Sequence, residues 1–256
     1  MSLTLDTGWL VVVFLISLRL GALFVLAPGL GAIQAPGPFR VFLVVALAAA
    51  LVPLVQIPAS AQAIAGSPGA LLSSALNELV VGALLAFGLF AAFGAFMIAG
   101  RAIDVQIGFG VASLLDPVSR THGPLLGTAL NLAGLAVFLA ADGHHLLLRG
   151  LALSFERVPP GGGLPGFDLG AIAAQFGVAF SLGLAIAAPV LALLLMIDLG
   201  LSVMSRTMPQ WNVFFVSMPA KIFAGLAVLA LSIPHLGPVM NRLFASVFRF
   251  WDQVLP

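Results

Sequence analysis

The chain has no cysteine among its 256 residues, which excludes disulfides, thiolate metal centres and cysteine nucleophiles. Charge is nearly as scarce. Asp, Glu, Lys and Arg together make up 7% of the residues, where a soluble domain carries about 25%. The net charge of +1 offers no electrostatic footprint for nucleic acid. No basic stretch precedes the first apolar run: Met1-Ser2-Leu3-Thr4-Leu5-Asp6 is faintly acidic, and the first cation, Arg19, lies inside the run. A cleavable signal needs that basic lead, so the first helix is expected to be retained. Nucleophile elbows of the G-x-S-x-G form, phosphate loops and paired catalytic carboxylates are all missing. Gly108-Phe109-Gly110 is not a dinucleotide fingerprint, because no strand precedes it. An enzyme is not expected, and no cofactor is implied.

What is present is apolar. Hydrophobic residues make up 61% of the chain, with a mean hydropathy of +1.19, which predicts an all-α integral membrane protein. Six apolar segments stand out, 9–27, 39–57, 71–107, 123–141, 169–204 and 213–233, giving about six long, partly kinked helices arranged as hairpins. The polar joint 142–168 holds the turn-forming cluster Pro159-Pro160-Gly161-Gly162-Gly163, and its stretch 146–155 suits a helix lying at the membrane interface. The tail 236–256 sets Leu243, Val247, Phe250 and Val254 at helical spacing, with Arg242, Arg249 and Asp252 between them, and reads as an amphipathic helix. Trp9, Trp211 and Trp251 fall near segment ends, as interfacial anchors do.

The segments 71–107 and 169–204 are too long for a bilayer. At ~1.5 Å per residue each reaches about 55 Å, against a hydrocarbon core of about 30 Å. Either they break or they extend beyond the membrane into an assembly. Pro189 is expected to kink the second. The first carries a stripe of small residues, Gly88, Ala91, Ala95 and Ala99, which allows close helix packing within the chain or onto a partner. The positive-inside count is thin. It favours the first, third and fifth joints on the cytoplasmic side, through Arg40, Arg101, Arg120 and Arg206.

Charges inside apolar segments cost about 2.5–3.5 kcal/mol each on insertion scales, so their presence asks for a reason. They are Arg19, Glu78, Asp198 and Lys221, the last being the chain's single lysine. Glu78 pairs with Arg19 if the first and third helices pack together. Asp198, Arg206 and Lys221 bracket the last turn, where a subunit interface and a conduction path are both open readings. Asp142-Gly143-His144-His145 raises the question of metal. Adjacent histidines on a helix point about 100° apart, and the other histidines lie far off in sequence, so no metal site is expected.

The most unusual stretch runs from Gly100 to His122. It places Arg101, Asp104, Gln106 and Asp116-Pro117 in a chain otherwise written for lipid. Irregular polar backbone is tolerated at membrane depth only where protein or a water-filled cavity surrounds it, which points to a pore or gate element. Gly108 and Gly110 let the chain bend. Phe109, Val111, Leu114 and Leu115 supply an apolar stopper, and Asp116-Pro117 ends it. A different class, a proton-coupled small-molecule transporter with Glu78, Asp104 and Asp198 as carriers, remains open on these residues.

Taken in order, Arg19 with Pro28, Gly31 and Pro36; Asn77-Glu78 with Gly82; Gly100, Asp104, Gln106 and Gly108; Asp116-Pro117; Asp142-Gly143-His144-His145; Ser154-Phe155; Pro189; Asp198 and Gly200; Arg206, Pro209-Gln210 and Asn212-Val213-Phe214; and Pro219 with Lys221 form a set that resembles the FliR family. This family is the flagellar branch of the type III export-gate subunits, with the SctT type as its injectisome counterpart. The resemblance covers nearly the whole chain. It implies a fusion of FliP-like and FliQ-like parts, here 1–168 and a hairpin over 169–235, followed by the amphipathic helix 236–256. It implies assembly with FliP and FliQ subunits into a helical gate in the flagellar basal body of the bacterial inner membrane. FlhB and FlhA are further partners, and unfolded flagellar proteins are the substrates. It also implies that the loop 108–122 plugs the channel, and that helices lifted out of the bilayer plane need not match lipid thickness.

Overall fold

The structure, a computed structural model, describes residues 7–26, 36–55, 61–109, 124–163, 166, 168–208 and 213–255. Among them every regular element is helical. In chain order these are α1 (Thr7–Leu26), α2 (Gly37–Leu51), a 3-10 turn (Val52–Leu54), α3 (Ala61–Gly66), α4 (Pro68–Ile107), α5 (Leu125–Ala140), α6 (Gly143–Arg157), α7 (Leu169–Thr207) and α8 (Val213–Val254). Composition explains the class. The helices are dominated by Ala, Leu and other good helix formers, and α1 and α4 are apolar on all sides, as a helix surrounded by lipid or protein must be.

Four helices are long and apolar enough to cross a membrane: α1, α4, α7 and residues Phe215–Val254 of α8. The segment 39–57 yields only the 15 residues of α2, about 22 Å at ~1.5 Å per residue. That is short of a ~30 Å core. The segment 123–141 yields the 16-residue α5. Asp142 follows it at φ 54, a left-handed conformation that Asp tolerates better than most residues, and α6 starts directly after. The helices α5 and α6, bent by 73° at that turn, pass the same test as a pair, so up to five spans are counted among the described residues.

The overlong segments do not break. α4 has 40 residues, α7 continues through Pro189 for 39, and α8 continues through Pro219, Pro234 and Pro238 for 42. The last apolar segment and the amphipathic tail, drawn separately at 235/236 from the sequence, are one helix. The chain divides into two compact units, and α4, α7 and α8 each pass from one to the other.

The first unit takes residues 1–91, 142–175 and 246–256. Here α1 packs on α2 and α3, burying Leu15, Ile16, Leu20 and Leu23. Phe250 stands edge-on to Phe87 at 5.7 Å. Trp251 is 4% exposed. Its Nε1 donates to Leu85 O at 3.0 Å, and its ring lies where any side chain on Gly150 would have to go. The expectation of an interfacial anchor is corrected for this tryptophan, because the tail's apolar stripe (Val247, Phe250, Val254) turns it into the core. Trp9, 38% exposed, keeps a surface position, and Trp211 lies outside the described residues.

The second unit takes residues 92–141 and 176–245. Its core is a cluster of four phenylalanines: Phe93 and Phe96 of α4, Phe138 of α5 and Phe244 of α8. Their ring centroids lie 5.1–6.2 Å apart in tilted and edge-on pairs. The small-residue stripe of α4 is consumed within the chain. Ala95 backs directly onto Gly183 of α7, while Gly88, in the first unit, sits under Val247, Phe250 and Trp251.

Candidate functional site

The end of α4 is where polar chemistry concentrates in the second unit. The helix closes on a 3.1 Å bond from Gly108 N–H to Asp104 O, and Gly108 then takes φ +100, a backbone state that glycine alone adopts at no steric cost. The chain leaves the described residues after Phe109 and returns at Pro124. The return is fixed. The start of α5 has exposed amide donors, and Pro124, at the cap position, makes no side-chain cap bond. Asp104, 4% exposed, serves instead from the neighbouring helix. Its carboxylate accepts from Leu126 N–H at 3.1 Å and from Gly127 N–H at 3.4 Å. A carboxylate at a helix N-terminus also meets the positive end of the helix dipole. Gly100 and Gly127 let the two backbones touch one turn lower, and a Cβ on Gly100 would run into the Gly127 backbone.

The exit is fixed as well. Gln106 Nε2 donates to Asp198 Oδ2 of α7 at 2.9 Å, and the other oxygen of Asp198 pairs with Lys221 Nζ of α8. The two side chains of the pair are 34% and 19% exposed. One carboxylate thus joins three helices, one residue before α4 ends. Ile107 fills the space beside Gly225 and Leu194, and Met218 lies against Gly108.

A second polar cluster sits in the core of the first unit. Arg19 and Glu78, 0% and 1% exposed, meet at 2.7 Å between Nε and Oε2. The remaining donors of the guanidinium go to Ser154 O at 2.9 Å, Ser154 Oγ at 3.1 Å and Val158 O at 2.9 Å. Its carbon lies 4.4 Å from the centre of the Phe155 ring. The free oxygen of Glu78 accepts from Gly161 N–H at 3.0 Å. Asn77 donates to Gly162 O at 3.3 Å. A buried charge pair persists only when its remaining donors and acceptors are met in this way. Here α1, α4, α6 and the glycine turn all converge on one ion pair.

The structure therefore brings together Arg19 with Glu78, and Asp198 with Lys221. It gives Asp104 a helix start to hold rather than a second charge. Arg101 and Arg206 are exposed and join no ion pair among the described residues. Of the stopper residues, Gly108 and Phe109 are half-buried, while Gly110, Val111, Leu114, Leu115, Asp116 and Pro117 lie outside the described residues. Sequence reasoning missed the roles of Ser154, Gly161 and Gln106. Ser154 acts partly through a backbone carbonyl, which no side-chain pattern reveals. At Asp142, His144 and His145 the possible donor atoms lie within 4.8 Å of one another on an exposed turn. Asp142 Oδ1 and His145 Nδ1 are 3.3 Å apart, closing the first turn of α6. That is nearer than the 100° argument implied.

Comparison with known proteins agrees on one family. The profile described as "Bacterial export proteins, family 1" matches residues 10–247. Flagellar biosynthetic protein FliR of Bacillus subtilis is 30% identical over 245 residues, covering 94% of this chain and 93% of that protein. FliR of Aquifex aeolicus is 30% identical over 234 residues, covering 89% and 87%. Surface presentation of antigens protein SpaR of Shigella flexneri is 31% identical over 153 residues, covering 60% and 59%. With the match running through both units, the chain belongs to the FliR family of bacterial export proteins, the flagellar subunits of the type III export gate.

Proposed function

We propose that this chain is a core subunit of the flagellar type III protein export gate, and that residues 108–122 close its channel. In this reading it assembles with FliP and FliQ subunits in the bacterial inner membrane, at the flagellar basal body. FlhB and FlhA act beside it, and unfolded flagellar proteins pass through. The FliP-like and FliQ-like halves belong to the same proposal. The observation that carries it is the fixing of both ends of the loop on the last turns of α4, at Gly108 through Gln106 and at Leu126 through Asp104. A loop that must block a channel without escaping needs two anchored ends. The broad apolar exposure of α7 and α8, including Phe176, Phe180, Met196, Phe215, Phe223 and Leu231, supports burial against lipid or other subunits.

The transporter reading needs Glu78, Asp104 and Asp198 as proton carriers. Each is engaged in holding helices together, two of them against a cation, and this favours the gate. The test is deletion of residues 109–115. The complex should still co-purify with FliP- and FliQ-like subunits, and membranes carrying it should leak small ions. An assembled deletion complex that stays tight refutes the closure, and purification as a stable homo-oligomer alone refutes the assembly.

A further inference from the structure

We propose that the groove between α6 and the end of α8 binds an anionic phospholipid, with its phosphate at Arg149 and one acyl chain against Leu153, Phe248 and Trp251. The binding does not depend on how the channel closes.

Helical spacing builds the groove. Leu146, Arg149, Gly150, Leu153 and Arg157 share one face of α6, at the i, i+3, i+4, i+7 spacing of a helix side. Phe248, Trp251, Asp252 and Leu255 repeat that spacing at the end of α8. Both sides belong to the first unit, and Trp251, packed on Gly150, joins them. Between them lies a cavity of about 250 Å³, open to the surface. Drug-sized ligands take sites of about 300–1,000 Å³. This cavity is smaller, and aliphatic and aromatic side chains wall it, which suits a segment of one hydrocarbon chain.

The two arginines of the groove differ. Arg157 is committed: Nη1 donates to Leu255 O at 2.6 Å and Nη2 to Asp252 Oδ1 at 3.2 Å. Asp252 also balances its charge. Arg149 is exposed and has no hydrogen bond or ion pair among the described residues. It lies two turns earlier on α6, about 12 Å at 1.5 Å per residue. One unpaired guanidinium beside an apolar slot calls for a single anionic group joined to a hydrocarbon chain. In a chain built for a membrane that amphiphile is a phospholipid, whose phosphate accepts the guanidinium fork. A head group of net negative charge fits better than a zwitterion, whose ammonium returns a positive charge beside Arg149. Position agrees with chemistry. α6 exposes Leu146, Leu148 and Leu153 along with its charges, the composition of a helix lying at a membrane surface.

The test uses the full-length chain in detergent, with Trp9→Phe and Trp211→Phe, so that Trp251 is its one fluorescent indole. Phosphatidylglycerol brominated on its acyl chains should quench Trp251 saturably. Phosphatidylcholine with the same brominated chains should bind more weakly. Arg149→Gln should raise the phosphatidylglycerol concentration for half-quenching about tenfold, the order set by one hydrogen bond to a charged group. Arg149→Lys should recover part of that loss, and Arg101→Gln, at an exposed arginine away from the groove, should change nothing. Inorganic phosphate at the same concentrations should leave the quenching in place. In the assembled export complex, native mass spectrometry should find phosphatidylglycerol retained by the parent and reduced in Arg149→Gln.

Equal quenching by the two lipids overturns the proposal, as do equal effects of Arg149→Gln and Arg101→Gln. Relief of quenching by inorganic phosphate overturns it in favour of free phosphate. An assembled complex that holds the same lipid with and without the Arg149 guanidinium overturns it in favour of a groove covered by another subunit.

Discussion

The Arg19–Glu78 cluster allows a perturbation whose outcome differs in order as well as in size. In Glu78→Gln the guanidinium stays fully buried and loses its counter-charge. The amide oxygen can still accept from Gly161 N–H or from Arg19, and the two carbonyls of Ser154 and Val158 keep their donors. In Arg19→Met the opposite charge is stranded and Val158 O loses its guanidinium donor, while Ser154 O keeps the backbone N–H of Val158. Breaking a buried pair from one side costs about 3–5 kcal/mol, and each buried acceptor left unmet adds about 1–3 kcal/mol. Arg19→Met should therefore cost more than Glu78→Gln. Either is a large fraction of a total stability of about 5–15 kcal/mol. The double variant Arg19→Met/Glu78→Gln carries no buried charge. It should be more stable than the sum of the two losses by about 1–3 kcal/mol, the size expected for residues in one network. Denaturation of the purified protein in detergent measures all three, with Arg101→Met at an exposed arginine as the control. If Arg19→Met is no more harmful than that control, or if the two losses simply add, the cluster does not hold the first unit together.

Asp104→Ala removes the acceptor for the first amides of α5. A loss of about 1–2 kcal/mol follows from a lost cap, and faster hydrogen exchange at Leu126 and Gly127 should accompany it. Gly100→Ala and Gly94→Ala form a matched pair on one helix. The first drives a methyl into the Gly127 backbone and should destabilise by about 1–3 kcal/mol. The second meets nothing within 4 Å and should be neutral or stabilising, since Ala is favoured over Gly in a helix by about 1 kcal/mol. Melting temperatures that move alike for both variants would contradict the backbone contact.

Several features were legible in the chain because their cause is local. The helical membrane class follows from composition. The tail's apolar stripe of Leu243, Val247, Phe250 and Val254 is buried as its spacing indicates. A helix does form around 146–155, between the turns at Asp142 and Pro159. Other features had no local signal. Hydropathy cannot locate the real helix ends: α2 stops at Leu51, before Pro53, although the apolar run continues to residue 57. Trp251 looks like an interfacial anchor until Gly150, about a hundred residues away in the chain, is seen to leave room for its ring. Gln106 has no evident partner until α7 is laid beside it.

The sequence by itself determined that this chain is helical and built for a membrane. A backbone without water must satisfy its own hydrogen bonds, and an apolar chain poor in charge has little other stable form in lipid. It also determined, by its rarity, which few charged residues had to be explained. Only the tertiary structure decided their partners. Arg19 finds Glu78 across 59 residues and Ser154 across 135, and Asp198 reaches Gln106 across 92. Such pairings depend on where long helices cross, and the crossings are set by small residues and side-chain shapes from distant segments acting together. The same holds for Asp104. Its charge marked it as unusual, but only the close approach at Gly100 and Gly127 made it the anchor of the next helix.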